Sequence, residues 1–211
     1  MAEALPSVLL SSGPLRLVGG AVALDFVNTV DWHLEDEPVE RLRSYADLVA
    51  WGRGSEAIDA ARARRLLKLA KADDKTAESV FAVARSLREA LFQIFLAIGR
   101  GTAPNARDLR LINAWLSRLA PRDGLVQKGR GLAWHSPEPE TLESVLAPVL
   151  WSAGDILTGA DVDRLKLCHA DGCGWMFLDA SRKANRLWCS MEGCGNRAKA
   201  QRHYRRTRRA A

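Results

Sequence analysis

From Ser44 to Leu157 apolar residues recur every three or four positions, in segments broken by Gly, Pro and small polar residues, and this pattern predicts successive amphipathic helices. Ser44-x-x-Asp47 reads as a helix start, with Leu48, Val49 and Trp51 as the buried side. Ser55 is placed to cap a second helix running through Leu69. Asp74 to Ile98 is the longest helical stretch, and its Val80, Val83, Leu87, Leu91 and Ile94 should make it central to the core. A turn over Gly99 to Asn105 follows, and Asn105 caps a helix carrying Leu109, Ile112, Leu116 and Leu119.

Outside these helices the periodicity changes. Leu15 to Leu24 is short, apolar and interrupted by glycine, which predicts a strand or hairpin near Gly19-Gly20. Leu24 to Trp32 returns to helical spacing. Leu125 to His135 reads as two short strands around Lys128-Gly129-Arg130-Gly131. Beyond Pro137 to Pro139 a helix runs toward Leu157, and Pro148 should kink or divide it. Thr158 to Asp163 is expected to be a hinge, with a strand at Leu165 to Leu167 and another carrying Trp175, Phe177 and Leu178 before a turn at Asp179 to Ser181. The predicted fold class is mainly α with minor β: a helical domain over residues 1–160, then a small module over 161–211.

That second module holds all the cysteine of the chain. Cys168-x4-Cys173 and Cys189-x4-Cys194 form two matched pairs joined by the stretch from Gly174 to Trp188. Thiolates are soft ligands that suit zinc, and two short pairs let two loops close a tetrahedron around one ion. Four sulfurs leave no open coordination position, so the predicted cofactor is a single structural Zn2+. The competing reading is a pair of disulfides or four separate buried thiols. Against it, the opening MAEALPSVLLSSGPLRLVGG has no basic stretch and too short an apolar run for a signal peptide or membrane span. The expectation is a cytoplasmic, reducing environment and no membrane partner.

Charge is distributed unevenly along the chain. Arg164 to Ala211 carries 12 of the 31 Lys and Arg but only 3 of the 25 Asp and Glu, which leaves 19 basic against 22 acidic side chains for everything before it. Such a basic block on a near-neutral body is the footprint expected of a nucleic-acid contact. After Cys194 the sequence GNRAKAQRHYRRTRRA predicts a helix. Arg197, Lys199, Arg202, Arg205, Arg206, Arg208 and Arg209 cover one side, and Ala200, His203, Tyr204 and Thr207 form a neutral arc that can pack on the zinc module. Arg182, Lys183 and Arg186 extend the positive surface. The plainer alternative is a solvated tail whose charge aids solubility. For Tyr204 and Trp188 packing is preferred over base stacking.

The tetrapeptide Cys194-Gly195-Asn196-Arg197, closing a four-cysteine module, resembles the bacterial CGNR zinc finger, a small treble-clef-like domain regarded as DNA-binding. Leu24-Asp25-Phe26-Val27-Asn28-Thr29 resembles the start of the ABATE domain that commonly precedes this finger. The resemblance covers nearly the whole chain and implies a stress-responsive transcription regulator.

Asp25 and Asn28 share a helix face, with two readings open: they line a small-ligand pocket, or they tie the N-terminal hairpin through backbone hydrogen bonds, which is preferred. Trp32, His33 and Arg41 are candidates for the same pocket. The chain has no glycine-rich phosphate loop, no Gly-x-Ser-x-Gly and no His-Glu-x-x-His, so no catalytic residue is assigned; were there catalysis, Asp25 and His33 would be tested first. The favoured partner is double-stranded DNA, with RNA, a ribosomal surface or a protein as alternatives, and a homodimer remains open.

Overall fold

The computed structural model describes residues 7–119, 124–134 and 141–210. Its chain opens with a hairpin, β1 (Ser7–Leu10) and β2 (Gly13–Arg16), paired antiparallel with Val8 opposite Leu15. The hairpin predicted near Gly19-Gly20 therefore lies earlier, and Gly19-Gly20 is instead the approach to α1 (Val22–Val27). A Cβ on Gly19 would stand 2.8 Å from both Asp25 N and Leu24 Cβ, so only glycine lets the chain pass this close. Short strands β3 (Val30–Asp31) and β4 (Val39–Glu40) follow and pair with each other.

Helix α2 (Tyr45–Gly54) begins as the sequence predicts, with the Ser44 hydroxyl accepting from Asp47 N at 3.1 Å. The next helix differs: α3 (Ala60–Ala72) is capped by Asp59, which accepts from Arg62 N, while Ser55 ends α2. Glu56 takes a positive φ of 60° in this connection, so the chain cannot run helically from Ser55. Helix α4 (Asp74–Gly99) is the longest, burying Val80, Leu87, Leu91 and Ile94 and touching α1, α2, α3 and α5. Asn105 caps α5 (Ala106–Leu119) through Arg107 N, and only Ile112 of its stripe is buried. The predicted hairpin is present as β5 (Leu125–Lys128) and β6 (Gly131–Trp134). His135 and Pro137 to Pro139 lie outside the described residues. The helix beyond them is divided where Pro148 requires: a 3-10 turn over Leu142–Leu146, then α6 (Ala147–Thr158) with Pro148 in its first turn.

Strands β7 (Leu165–Leu167) and β8 (Met176–Leu178) pair antiparallel. Leu165 and Met176 belong to the same apolar core as Leu24, Phe26, Trp51 and Phe95. Residues 158–163 are thus no hinge between separate bodies; the C-terminal module is built onto the helical one.

The joint is made by hydrogen bonds. Cys168 N donates to Trp175 O at 2.8 Å and Asp179 N to Arg164 O at 2.8 Å, so alternation along the ladder turns the Phe177 groups toward β7 and those of Met176 and Leu178 to the opposite edge. That edge is closed by the N-terminal segment: Leu178 N donates to Gly19 O at 2.8 Å. The Asn28 carboxamide accepts from Met176 N and donates to Met176 O, both at 2.8 Å. Asn28 does with its side chain what a third strand would do with its backbone.

Replacing Asn28 with Ala leaves a buried N–H and C=O of Met176 without partners, so unfolding by denaturant should show a loss of about 3 kcal/mol. A loss below about 0.5 kcal/mol would mean this edge is not closed by Asn28. Asp25 supplies a pH test. Burial pushes its carboxyl from 3.8 up to about 6, against lowering by the backbone N–H groups of Gly19 and Val18. Its protonated form therefore favours the fold below the ordinary value, and this contribution is lost as pH rises through about 6. Between about pH 4 and 7 the wild-type chain should lose stability relative to Asp25→Asn, read from denaturant midpoints.

Candidate metal centre and basic surface

Each cysteine is delivered by a tight local turn. Cys168 follows β7, Cys173 precedes β8, and between them His33 N donates to Cys173 O and Leu34 N to Gly172 O, both at 3.2 Å. Gly174, at φ +71°, sits where a Cβ would come within 2.7 Å of His33 Cβ, so the turn passes directly under the N-terminal segment. Cys189 closes the 179–188 loop, and Cys194 lies in the single wide turn Met191–Gly195, whose start is capped by Ser190.

These turns bring all four sulfurs within 4.8 Å of one another. Separations of 3.5 Å for Cys189–Cys194, 3.6 Å for Cys194–Cys173 and 3.9 Å for Cys173–Cys189 match the edge of about 3.8 Å that a tetrahedron with Zn–S bonds of about 2.3 Å requires. No pair is joined as a disulfide, and His169, though adjacent, is not in the set. Hydrogen bonds from Cys168, Cys173 and Cys189 hold the Cys194 thiol far below its ordinary range, while the same crowding pushes Cys189 far above. Four neighbouring sulfurs cannot all ionise without a cation, and a divalent metal resolves that conflict. The residues fit one structural zinc.

Around the sulfurs the module has its own small core of Val18, Phe177 and the cysteines, flanked by Trp175 and Trp188. Trp188 packs there, as expected. Tyr204 does not: it is 61% exposed, because α7 (Asn196–Ala210) packs chiefly on the Met191–Gly195 turn and then leaves the body. Ala200 and Thr207 of the neutral arc expected to lie against the module are exposed as well, and the side chain of His203 lies outside the described part.

The basic residues divide into two groups. Arg186 is turned inward, its guanidinium 4.0 Å from the Phe177 ring and donating to the carbonyls of Trp188, Val18 and Cys189. Arg197 is also engaged: its Nη2 donates to Cys194 Sγ at 3.3 Å, and its guanidinium lies 4.2 Å over the Trp32 ring. The charge pattern puts both on the phosphate-binding face; in the structure both make contacts within the metal module, Arg186 half-buried and Arg197 exposed. Arg182, Lys183, Lys199, Arg202 and Arg208 are exposed. Arg205, Arg206 and Arg209 lie on the same helix, their side chains outside the described part. Arg202 reaches to 6.0 Å from Trp188, which links α7 to the loop carrying Arg182 and Lys183.

Asp25 and Asn28 are used by backbone contacts with Gly19 and Met176, the alternative to a pocket. The other proposed pocket members separate: His33 stacks on Phe92 at 3.6 Å and meets Glu89, while Arg41 pairs with Asp31 at 2.6 Å. Trp32, held at a positive φ of 58°, faces Arg197 across a cavity of about 180 Å3 lined also by Asp31, Trp175, Cys173, Cys189 and Cys194. Sequence spacing carried no sign that Trp32, near the opposite end of the chain, would meet the CGNR arginine.

Cys173→Ser or Cys194→Ser should lose zinc, and because β7 and β8 share the main core, the whole chain should melt earlier in one transition. A separate low transition with the rest unchanged would show an independent module. Arg197→Ala, which removes a sulfur hydrogen bond, should weaken zinc binding roughly tenfold in chelator competition.

The chain matches the ABATE family, described as "Putative stress-induced transcription regulator", over residues 20–160 and the CGNR zinc finger over residues 164–207. No curated protein matches it. With a helical body, a CGNR tetrapeptide and four thiols gathered for one zinc, the chain belongs to the ABATE family and carries a CGNR zinc finger at its C-terminal end.

Proposed function

We propose that this protein is a zinc-stabilised, DNA-binding transcription regulator of the cytoplasm, and a binding protein rather than an enzyme. The observation that carries this reading is α7: a 15-residue helix rooted just beyond the last zinc ligand, projecting from the body with exposed Lys199, Arg202 and Arg208. A helix rooted at a rigid metal turn presents its charges in a fixed direction, which a frayed tail cannot do. Exposed Tyr204, beside Arg208 at 5.8 Å, adds a flat surface to the same helix. No helix among the described residues is long and apolar enough to cross a membrane.

The helical body would supply regulation. A cavity of about 460 Å3 between α2, α3 and α4, lined by Arg43, Tyr45, Lys71 and Phe81 among others, offers a place for a small ligand.

Binding of the zinc-loaded full chain to duplex DNA and to RNA pools across a salt series tests the proposal. Each phosphate contact on duplex DNA adds about 0.9 to the salt slope, so Lys199, Arg202 and Arg208 changed together to Ala should lower the slope by about two to three without loss of zinc. An unchanged slope removes α7 from the interface, and preference for RNA moves the protein to the RNA-binding class. A chain ending at Ala198 is the proper tail-less control, since ending it at Asp163 would remove β7 and β8 from the core.

A further inference from the structure

The cavity of about 460 Å3 between α2, α3 and α4 combines apolar walls with a charged rim. Ala77 in it is buried, Ala70 and Phe81 are half-buried, and Leu67 stands 42% exposed. An exposed leucine beside a half-buried phenylalanine is surface that an apolar group would take from water. The rim carries two cations, Arg43 and Lys71, and two carboxylates, Asp74 and Glu78. All four are exposed, and among the described residues no ion pair joins any two of them. Their helices hold them at the rim. Arg43 precedes the Ser44 cap of α2, Lys71 lies in the last turn of α3, and Asp74 opens α4 with Glu78 one turn further on. Both carboxylates thus share the α4 wall, while the cations come from the other two helices.

We infer that this cavity binds a small zwitterion with an apolar body, the chemistry of an amino acid or short peptide bearing a large aliphatic or aromatic side chain. Its carboxylate meets Arg43 and Lys71, its ammonium meets Asp74 and Glu78, and its apolar body covers Leu67 and Phe81. Charge decides against the other small ligands. A phosphate or nucleotide would set its anions beside two carboxylates, and a polyamine would set its cations beside Arg43 and Lys71. An uncharged apolar molecule would cover Leu67 and Phe81 but engage neither pair of charges. The volume falls within the range of about 300–1,000 Å3 usual for small-molecule sites. This inference rests on the reading that the helical body takes a ligand, and it adds the class of that ligand.

The test titrates the zinc-loaded full chain, without nucleic acid, and follows backbone amide shifts by NMR. The probes are phenylalanine, leucine, the dipeptide Phe-Leu, and two half-charged analogues, N-acetylphenylalanine and phenylalanine amide. The expected result is saturable binding of a zwitterion, with shifts centred on residues 43–46, 67–71 and 74–81. Ion pairs at an exposed rim are each worth up to about 1 kcal/mol, so each half-charged analogue should bind about fivefold more weakly. Preference for Phe-Leu over the free amino acids identifies a peptide as the source, and the reverse identifies an amino acid. Arg43→Gln should weaken phenylalanine about fivefold without weakening phenylalanine amide, and Glu78→Gln should weaken it without weakening N-acetylphenylalanine. Half-charged analogues that bind as well as the zwitterions, or no saturation by any zwitterion up to about 10 mM, would overturn the inference. Repeating the DNA salt series with the bound zwitterion separates the two readings. Saturation with no change in DNA affinity removes regulation and leaves the site, whereas DNA binding without any saturation removes the site alone.

Discussion

Strand β8 is needed on both of its edges. On one side it pairs with β7, and on the other its Met176 and Leu178 groups are taken by Asn28 and Gly19. A two-stranded sheet is at best marginal in water, and unpaired buried backbone groups are costly, so neither edge can be given up. Trp175, donating from its indole to Val30 O at 2.8 Å, and the Gly172–Cys173 carbonyls, accepting from residues 33 and 34, lengthen this seam. The metal module therefore shares its frame with the helical body, because the segment that opens that body closes the second edge of β8.

That seam explains why short α1 can be central. Six residues make a weak helix, yet α1 touches α4, α6 and β8, and four of its residues are buried. On its far side Thr29 accepts from buried Arg88, which also binds Glu40 at 2.7 Å. A chain of polar contacts thus runs from α4 through residues 28–29 to the strand that delivers the zinc ligands. Removing any one partner would strand a buried polar or charged group, which makes the arrangement specific as well as stable.

Electrostatics separates the arginines by task. Where the guanidinium can stack on an aromatic ring and meet carbonyls or a thiolate, as at Arg186 and Arg197, it holds the module together. Where the helix has left the body, at Lys199, Arg202 and Arg208, the charge stays in water and is free for a partner. Net charge along the chain could not make this division, because both groups count alike in a sum.

The amino-acid sequence by itself determined the helices with strong three- and four-residue periodicity, the caps at Ser44 and Asn105, the hairpin around Gly129, the break at Pro148 and the zinc ligand set, since each depends on neighbours within a few positions. It placed the first hairpin and the cap of α3 wrongly, where several turn-forming residues compete locally and tertiary contacts choose among them. Only the tertiary structure decided that Asn28 would act as a strand, that Trp32 would carry Arg197, and that residues 158–163 would not hinge. These contacts join the two ends of the chain, and no local spacing encodes them; they exist because an open strand edge and a crowded set of thiolates had to be satisfied by whatever the folded chain brought within reach.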